Sequence, residues 1–332
     1  MPMATRSVTA LVALNAANGF AQAMFWPPLV KIAAASLAPE RYKNAIFWIN
    51  VAANVSIVAT FALVAGCVRF AGWRLSFATA AFLALCMAAL WALFIRQLTP
   101  DLSGAAGQKG PRVARRRPIL RVLAAAGLLP VAGAIVCIGV MRDGIEAWSP
   151  GIVKDIYGLS TSGSTLSVAI LPIFAVVSLA AARALQRRLG DERLSAIVLF
   201  AIGFVCASVL FATGGATLAA GLPLLAVLSA VMHGANLMLV CELPGRFARS
   251  GCVGTISGIL NACVYIGAAL SVVGFPMLRE HFSGWGIVFG LWVAVLALGI
   301  GLLLVVLPKA GIKNGGEGGI RTPGASKPST TV

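Results

Sequence analysis

The chain has 332 residues, of which 59% are hydrophobic and 11% are charged, and it carries a net charge of +16. Its mean hydropathy of +0.94 excludes the soluble globular classes, because such chains keep more polar residues for their surfaces. The composition therefore predicts an all-α polytopic membrane protein.

Nine apolar segments are long enough to cross the roughly 30 Å hydrocarbon layer of a bilayer as helices. They run over residues 8–33, 45–68, 73–95, 128–156, 165–184, 194–213, 218–241, 252–278 and 285–307. We expect four parts: a partial bundle of three helices (1–96), a basic cytoplasmic linker (97–121), a bundle of six helices (122–310) and a disordered tail (311–332).

The basic residues predict the orientation in the membrane. Most of the 26 lysines and arginines fall in the loops of one side if the first segment runs from outside to inside. Cytoplasmic loops are the ones that carry such an excess. We therefore expect the N-terminus outside and the C-terminus in the cytoplasm. Because this distribution explains the net charge, we expect the lipid bilayer as a partner and no nucleic acid.

The first two segments carry polar side chains that are unusual for membrane helices. Asn18 and Gln22 belong to a polar stripe on the first segment, which the Trp-Pro-Pro sequence at 26–28 should then kink. Asn50 and Asn54 repeat the pattern at i, i+4 in the second segment. Amides in such positions either join helices through hydrogen bonds or contact a substrate, and the spacing leaves both interpretations open.

Segment 128–156 contains the residue around which the chain is organised, Arg142. An ionised arginine inside a bilayer costs about 3 kcal/mol or more, so it normally faces an aqueous cavity and has a partner or a ligand. Glu146 lies one helical turn away on the same face, whereas Asp143 should point elsewhere. We therefore predict that Glu146 is the counter-ion of Arg142 when the site is empty.

Two later segments add further candidates. His233 lies in the seventh segment, and Asn261 and Tyr265 share a helical face of the eighth. An intramembrane histidine serves either packing or function, and both interpretations stay open. The Gly254-x-x-x-Gly258 motif predicts close helix contact. The sequence shows no nucleotide-binding loop, hydrolase motif or metal-ligand spacing, so we expect no cofactor and no enzymatic activity.

Three stretches carry a family resemblance: FAQAMFWPPLVK at 20–31, NVAANV at 50–55 and RDGIEAWSP at 142–150. They resemble the major facilitator superfamily and, among its branches, the organophosphate:phosphate antiporters, such as the glycerol-3-phosphate and hexose-phosphate transporters. In that branch one helix reads approximately FQGMGWPP followed by a basic residue, and a later helix carries an arginine followed by W-S-P. The resemblance spans about residues 8–308.

The resemblance implies two helical halves that rock around a site at the membrane midplane. It aligns the nine segments with the family's helices four to twelve, so we expect the first three helices, and with them a second phosphate-binding arginine, to be absent. Ala53 stands where the branch has a histidine. The resemblance thus implies secondary transport of a small organic anion, phosphorylated or carboxylated, with Arg142 as the anion ligand.

We expect a monomer that is driven by exchange for phosphate or another anion, or by protons. Two other functions stay open: a transporter-like sensor that binds its ligand without net flux, and an inactive truncated product. Besides Arg142, the candidate cavity residues are Asn18, Gln22, Asn54, Glu146, His233, Asn261 and Tyr265.

Overall fold

The computed structural model describes residues 7–106, 127–215, 217–250, 252–282 and 284–307. The first bundle contains α1 (Val8–Ala23), α2 (Trp26–Ser36), α3 (Pro39–Ala71) and α4 (Trp73–Ala106). The second bundle contains α5 (Leu129–Tyr157), α6 (Thr161–Val168), α7 (Leu171–Leu189), α8 (Glu192–Thr213), α9 (Leu218–Asn236), α10 (Val253–His281) and α11 (Gly286–Val306). A π-helical segment, Leu237–Glu242, and a 3-10 helix, Leu243–Ser250, connect α9 to α10.

These helices are those of a membrane-spanning protein. In the described ranges, eight spans are long and apolar enough to cross a bilayer, and α1 with α2, like most of α6 with α7, forms one of them. Helix α5 occupies the remaining predicted segment with 29 residues, which is about 44 Å at 1.5 Å per residue. It differs from the other spans because Arg142, Asp143 and Glu146 lie in its middle. The prediction of an all-α polytopic membrane protein is confirmed.

The observed helices differ most from the predicted segments at two boundaries. Helix α3 begins at Pro39, before the predicted start at residue 45, and α4 continues to Ala106, so that residues 97–106 of the predicted linker are helical. The reason is that hydropathy locates the part of a helix that lies in hydrocarbon, and a helix can continue beyond it into the aqueous layer. The rest of the predicted linker from 107 onward and the predicted tail lie outside the described residues.

The first span is interrupted where the sequence predicts a kink. Helix α1 ends at Ala23 and α2 begins at Trp26, with proline in its first turn. Neither Pro27 nor Pro28 has a backbone N–H, so these positions cannot donate the hydrogen bonds that would continue α1 into α2. The break places Gln22 at the end of one helix and Trp26 at the start of the next.

Helices α5 and α10 meet with their backbones in direct contact. A Cβ atom on Gly139 would lie 2.0 Å from the carbonyl oxygen of Val264, and a Cβ atom on Gly267 would lie 2.1 Å from the carbonyl oxygen of Val136. Membrane helices approach this closely where small residues face one another. The two glycines therefore fix α5, and with it Arg142, against α10.

The predicted Gly254-x-x-x-Gly258 motif lies on another face of α10. A Cβ atom on Gly254 would lie 3.3 Å from the side chain of Lys31, and one on Gly258 would lie 3.6 Å from the ring of Pro27. Both partners belong to α2, so the motif lets α10 pack on the first bundle at ordinary to slightly short contact distances. The closest backbone approach occurs instead at Gly139 and Gly267.

Polar contacts join the two bundles at the end that the predicted topology places in the cytoplasm. The Nζ atom of Lys43 lies 3.1 Å from Oε1 of Glu192. The hydroxyl group of Tyr42 donates a hydrogen bond of 2.7 Å to the carbonyl oxygen of Cys241. Since Lys43 and Tyr42 lie on α3 while their partners belong to the second bundle, these contacts hold this end closed.

Candidate functional site

A cavity of about 370 Å³ lies between the two bundles. Helices α1 to α3 form one wall, and α5, α9, the π-helical segment and α10 form the other. Its volume is near the lower end of the roughly 300–1,000 Å³ that small-molecule sites occupy. The lining residues are Gln22, Phe25, Trp26, Asn50, Ala53, Arg142, Asn236, Val240, Cys241, Asn261 and Tyr265.

Arg142 is the charged member of this lining set, and its side chain is 17% exposed. Its Nη2 atom donates to both carboxylate oxygens of Asp143, at 2.9 Å and 3.1 Å, and its Nε atom donates to Oδ1 at 3.1 Å. Such charge-assisted, two-pronged pairs are among the stronger hydrogen-bonded contacts in proteins. The Nη1 atom has no hydrogen-bond partner in the described part of the chain, so it remains available to a ligand.

The structure corrects the predicted pairing of Arg142 with Glu146. Helical spacing places these residues on one face, but it does not account for the neighbouring carboxylate of Asp143, which turns back onto the guanidinium group. Glu146 instead reaches across to α9, where its Oε1 atom lies 2.5 Å from Nε2 of His233. Two acid–base pairs therefore lie next to each other. The Arg142–Asp143 pair lies on α5, and the Glu146–His233 pair joins α5 to α9.

Uncharged polar groups connect α3 with α9 at the base of the cavity. The Sγ atom of Cys241 lies 3.8 Å from Oδ1 of Asn50, and Nδ2 of Asn236 lies 3.8 Å from the same sulfur. Oδ1 of Asn236 and Nε1 of Trp26 are buried without a hydrogen-bond partner among the described residues. An unsatisfied buried donor or acceptor costs about 1–3 kcal/mol, so these two groups are unmet hydrogen-bonding positions on residues that line the cavity.

The structure brings four predicted site residues together around the cavity. They are Gln22 from the end of α1, Arg142 from α5, and Asn261 and Tyr265 from α10. Tyr265 and Asn261 share a face because they are four residues apart on one helix. The grouping unites side chains from both bundles, as a site between two halves requires.

The other four predicted residues do not line this cavity. Asn18 is exposed on α1, and Glu146 and His233 form the pair beside Arg142. Asn54 is 5% exposed, and its amide donates a 2.9 Å hydrogen bond to the carbonyl oxygen of Asn50, one turn earlier on α3. For Asn54 the structural interpretation of the amide pattern fits better, whereas Asn50 faces the cavity.

Sequence reasoning did not predict the contribution of the π-helical segment. Val240 and Cys241 line the cavity from it, although a cysteine within a membrane span is usually a small packing residue. The extra residue of a π-turn changes which side chains face the cavity, and π-turns are frequent at functional sites. Asn236, one turn after His233, carried a usable signal because it is an amide in an otherwise apolar span.

The described ranges contain no group of three or more histidine, cysteine, aspartate or glutamate side chains that could hold a metal ion. The cavity instead combines one guanidinium group with amides, a phenol, an indole and a thiol. This set can bind an anion through Arg142 and hydrogen-bond to its uncharged part.

A family model described as Major Facilitator Superfamily matches residues 1–272 of the chain. No curated protein matches it. The matched range includes α1 to α9 and most of α10, and therefore every residue that lines the cavity.

Proposed function

Because the chain belongs to the Major Facilitator Superfamily, whose members are secondary transporters, we propose that it carries a small organic anion across the membrane by alternating access. The proposal rests on the observation that the charged residue lining the cavity between the bundles is an arginine, Arg142. A guanidinium group binds two oxygens of a carboxylate or phosphate at once, which suits either class of anion.

Asp143 takes the counter-ion role that the sequence assigned to Glu146. It binds Nε and Nη2 of Arg142 and leaves Nη1 free. An incoming anion binds Nη1 first and then competes with Asp143 for Nη2. The guanidinium charge is thereby balanced both before and after the substrate arrives, which avoids the cost of an unpaired charge at low dielectric.

The uncharged part of the substrate contacts the polar side chains around Arg142. Trp26 and Asn236 line the cavity, and the indole N–H of the first and the amide oxygen of the second are buried without a hydrogen-bond partner among the described residues. Gln22 and Asn261 stand on opposite walls of the same cavity. We propose that these groups select the substrate by its hydrogen-bonding pattern, because a polar group that loses its partner discriminates strongly between similar ligands.

The Glu146–His233 pair keeps the Glu146 carboxylate out of direct contact with Arg142. Its carboxylate is held by the imidazole at 2.5 Å and does not reach the guanidinium group. Asp143 is therefore the carboxylate in direct contact with Arg142, and Glu146 acts on the guanidinium group only from a longer distance. This arrangement leaves Nη1 of Arg142 open to an anion, since a second carboxylate bound there would exclude it.

The proposed setting is a prokaryotic inner membrane, with the N-terminus outside and the C-terminus in the cytoplasm. Exchange for inorganic phosphate or another anion is the proposed driving force, in keeping with the resemblance to the organophosphate branch. The excess of basic residues on one side of the predicted topology supports the orientation. The two bundles separate and close at alternate ends, so contacts such as Lys43–Glu192 break once in each cycle.

Transport into proteoliposomes tests the proposal. The probes are glycerol 3-phosphate, glucose 6-phosphate, citrate and inorganic phosphate, with glycerol and glucose as uncharged counterparts. We expect saturable uptake of at least one anion and none of the uncharged counterparts.

Arg142→Lys keeps the charge and loses the planar fork, so the apparent affinity should fall about tenfold to a hundredfold, which corresponds to roughly 1.5–3 kcal/mol. The matched control is Arg188→Lys, an exposed position on α7, which should leave uptake unchanged.

Three outcomes decide between the candidate functions. Uptake with reduced affinity in Arg142→Lys supports the transporter. Thermal stabilisation by an anion without any uptake favours a sensor that binds without flux. If no anion is bound or transported, or if Arg142→Lys retains the full affinity, an anion site at Arg142 is wrong.

A further inference from the structure

Glu242 is a buried acid with no role in the anion site. It ends the π-helical segment and directly follows Cys241, which lines the cavity. It is 2% exposed, and neither of its carboxyl oxygens has a hydrogen-bond partner among the described residues. Glu192 is equally buried but is bound by both Lys43 and Arg246. An equally buried acid in the same protein is thus neutralised by two cations, whereas Glu242 has no direct partner.

Ionisable groups surround Glu242 on several packed elements. Helices α5 and α9 also pack on the π-helical segment, and they carry Arg142 and His233, which hold the carboxylates described above. Helix α10 carries its charged residues at its far end, from residue 279 onward. The groups that interact most directly with Glu242 are Glu40, Tyr42 and Lys43 of α3, Arg183 of α7, Glu192 of α8 and the adjacent Cys241.

The cations of this group already have partners. Lys43 and Arg246 bind Glu192, and Arg183 donates to the side chain of Asn44. The guanidinium group of Arg183 also lies 4.9 Å over the ring of Phe47. Each neighbouring cation thus makes its direct contacts with another residue. Ionised Glu242 would be a buried carboxylate without a hydrogen bond or an ion pair of its own.

We infer that Glu242 is a proton-binding site, whose carboxyl group carries a proton while the bundles are closed at this end and releases it when they open. An ionised carboxylate that is buried without a partner is strongly disfavoured, whereas the neutral acid avoids most of this penalty. On opening, water reaches the group and solvates the carboxylate. The O–H bond then breaks, its electron pair stays on the carboxylate oxygen, and the proton passes to a water molecule.

The inference about Glu242 rests on the proposed function in one respect, because it assumes that the protein opens and closes in an alternating-access cycle. Closing takes up one proton, so acidic pH shifts the equilibrium towards the closed form and alkaline pH shifts it towards the open form. For a single proton the shift is at most about tenfold per pH unit. The ligand of this second site is thus a proton, whatever anion binds at Arg142.

Infrared spectroscopy of the purified protein at neutral pH tests the protonation directly and needs no substrate. We expect an absorption band of a protonated carboxylic acid in the unmodified protein and its loss in Glu242→Gln. The matched control is Glu280→Gln, which makes the same change at an exposed carboxylate of α10 and should keep the band. If Glu242→Gln does not yield a folded protein, Glu242→Leu also removes the carboxyl group and supplies the same subtraction. Identical bands with and without the Glu242 carboxyl group would overturn the inference.

The link to closing is tested by distances between spin labels at Arg41 of α3 and Arg188 of α7, both exposed, after replacement of the native cysteines. We expect the ratio of the short-distance to the long-distance population to change up to tenfold per pH unit, and to become independent of pH in Glu242→Gln. The same pH dependence with and without Glu242 would overturn the link. Because no transported anion is used, failure of the proposed anion transport would be seen separately, in the uptake assay.

Discussion

The two bundles differ in how their helices are held. In the most apolar stretch of α4 none of the residues is buried within the protein, whereas in the span that contains α9 the corresponding share is 83%. Helix α4 packs on α3, while α5 packs on α9, α10 and α11. The second bundle therefore has a protein core of its own, and the described helices of the first bundle turn most of their apolar surface outward.

The bundles also divide the chemistry of the site. The second bundle supplies Arg142 with its partner Asp143, as well as the Glu146–His233 pair. The described part of the first bundle brings uncharged groups to the cavity, among them Gln22 and Asn50. This difference indicates that the tightly packed bundle fixes the charge that recognises the anion, because a charge in a membrane needs an accurately placed partner.

The largest expected loss of stability comes from breaking the charged pair between Arg142 and Asp143 in the second bundle. Arg142→Met leaves Asp143 without its partner in the membrane. Removing one member of a fully buried pair costs about 3–5 kcal/mol, which is the upper limit for this pair because both side chains are partly exposed. We expect the thermal unfolding temperature in detergent to fall steeply. The double variant Arg142→Met with Asp143→Leu should regain the stability but not the anion binding.

Glu146 provides the matched control for this experiment. If Glu146 were the counter-ion, Arg142→Met with Glu146→Leu would be the stable combination. The structure predicts the opposite, because that change also leaves His233 without its carboxylate. Rescue by Glu146→Leu and not by Asp143→Leu would show that the observed pairing does not determine stability.

A smaller effect compares glycines from the two bundles. Gly139→Ala forces a Cβ atom against the carbonyl oxygen of Val264 on α10, and such overpacking costs about 1–3 kcal/mol. Gly66→Ala on α3 meets no atom within 4 Å, so it should be neutral or stabilise by up to about 1 kcal/mol through helix propensity. Thermal unfolding of both variants measures the difference. Equal destabilisation would contradict the contrast between a packed and an open bundle.

The smallest effect concerns a contact that joins the bundles. Lys43→Met removes a partly exposed ion pair, but Glu192 keeps Arg246 and Gln186 as partners. We expect a loss of no more than about 1 kcal/mol, which decreases further in high salt. Arg41→Met, at an exposed position two residues earlier, is the control and should leave stability unchanged. A loss of several kcal/mol in Lys43→Met would mean that this contact holds the bundles together largely by itself.

Much of the fold was predictable because hydropathy reports the length of each span directly. The nine predicted segments correspond to observed helices, and the break at Pro27 and Pro28 follows from the missing N–H groups. The end of α4 was not predictable in this way, since its last residues lie beyond the apolar segment. The contact of Gly139 with Gly267 was also missed, because isolated glycines carry no spacing that distinguishes them from other glycines.

The site was predictable residue by residue but not in its pairing. Arg142, Gln22, Asn261 and Tyr265 stood out because polar side chains are costly in a membrane span. Their partners depend on the rotation of neighbouring helices, which no local spacing contains. The i, i+4 rule therefore selected Glu146, although the adjacent Asp143 is the residue that binds Arg142.

The break between α1 and α2 has a mechanical consequence for the cavity. Pro27 and Pro28 donate no backbone hydrogen bond, so only a few backbone hydrogen bonds, such as the one of 3.0 Å from the N–H of Phe25 to the carbonyl oxygen of Gln22, resist bending at this point. Gln22 lies on one side of this joint and Trp26 on the other, so a change of angle moves the two side chains relative to each other while α5 stays fixed against α10. The wall formed by α1 and α2 can thus adjust to the size of the bound molecule by changing its angle. The opposite wall, formed by α5 and α10, stays rigid and limits which molecules fit.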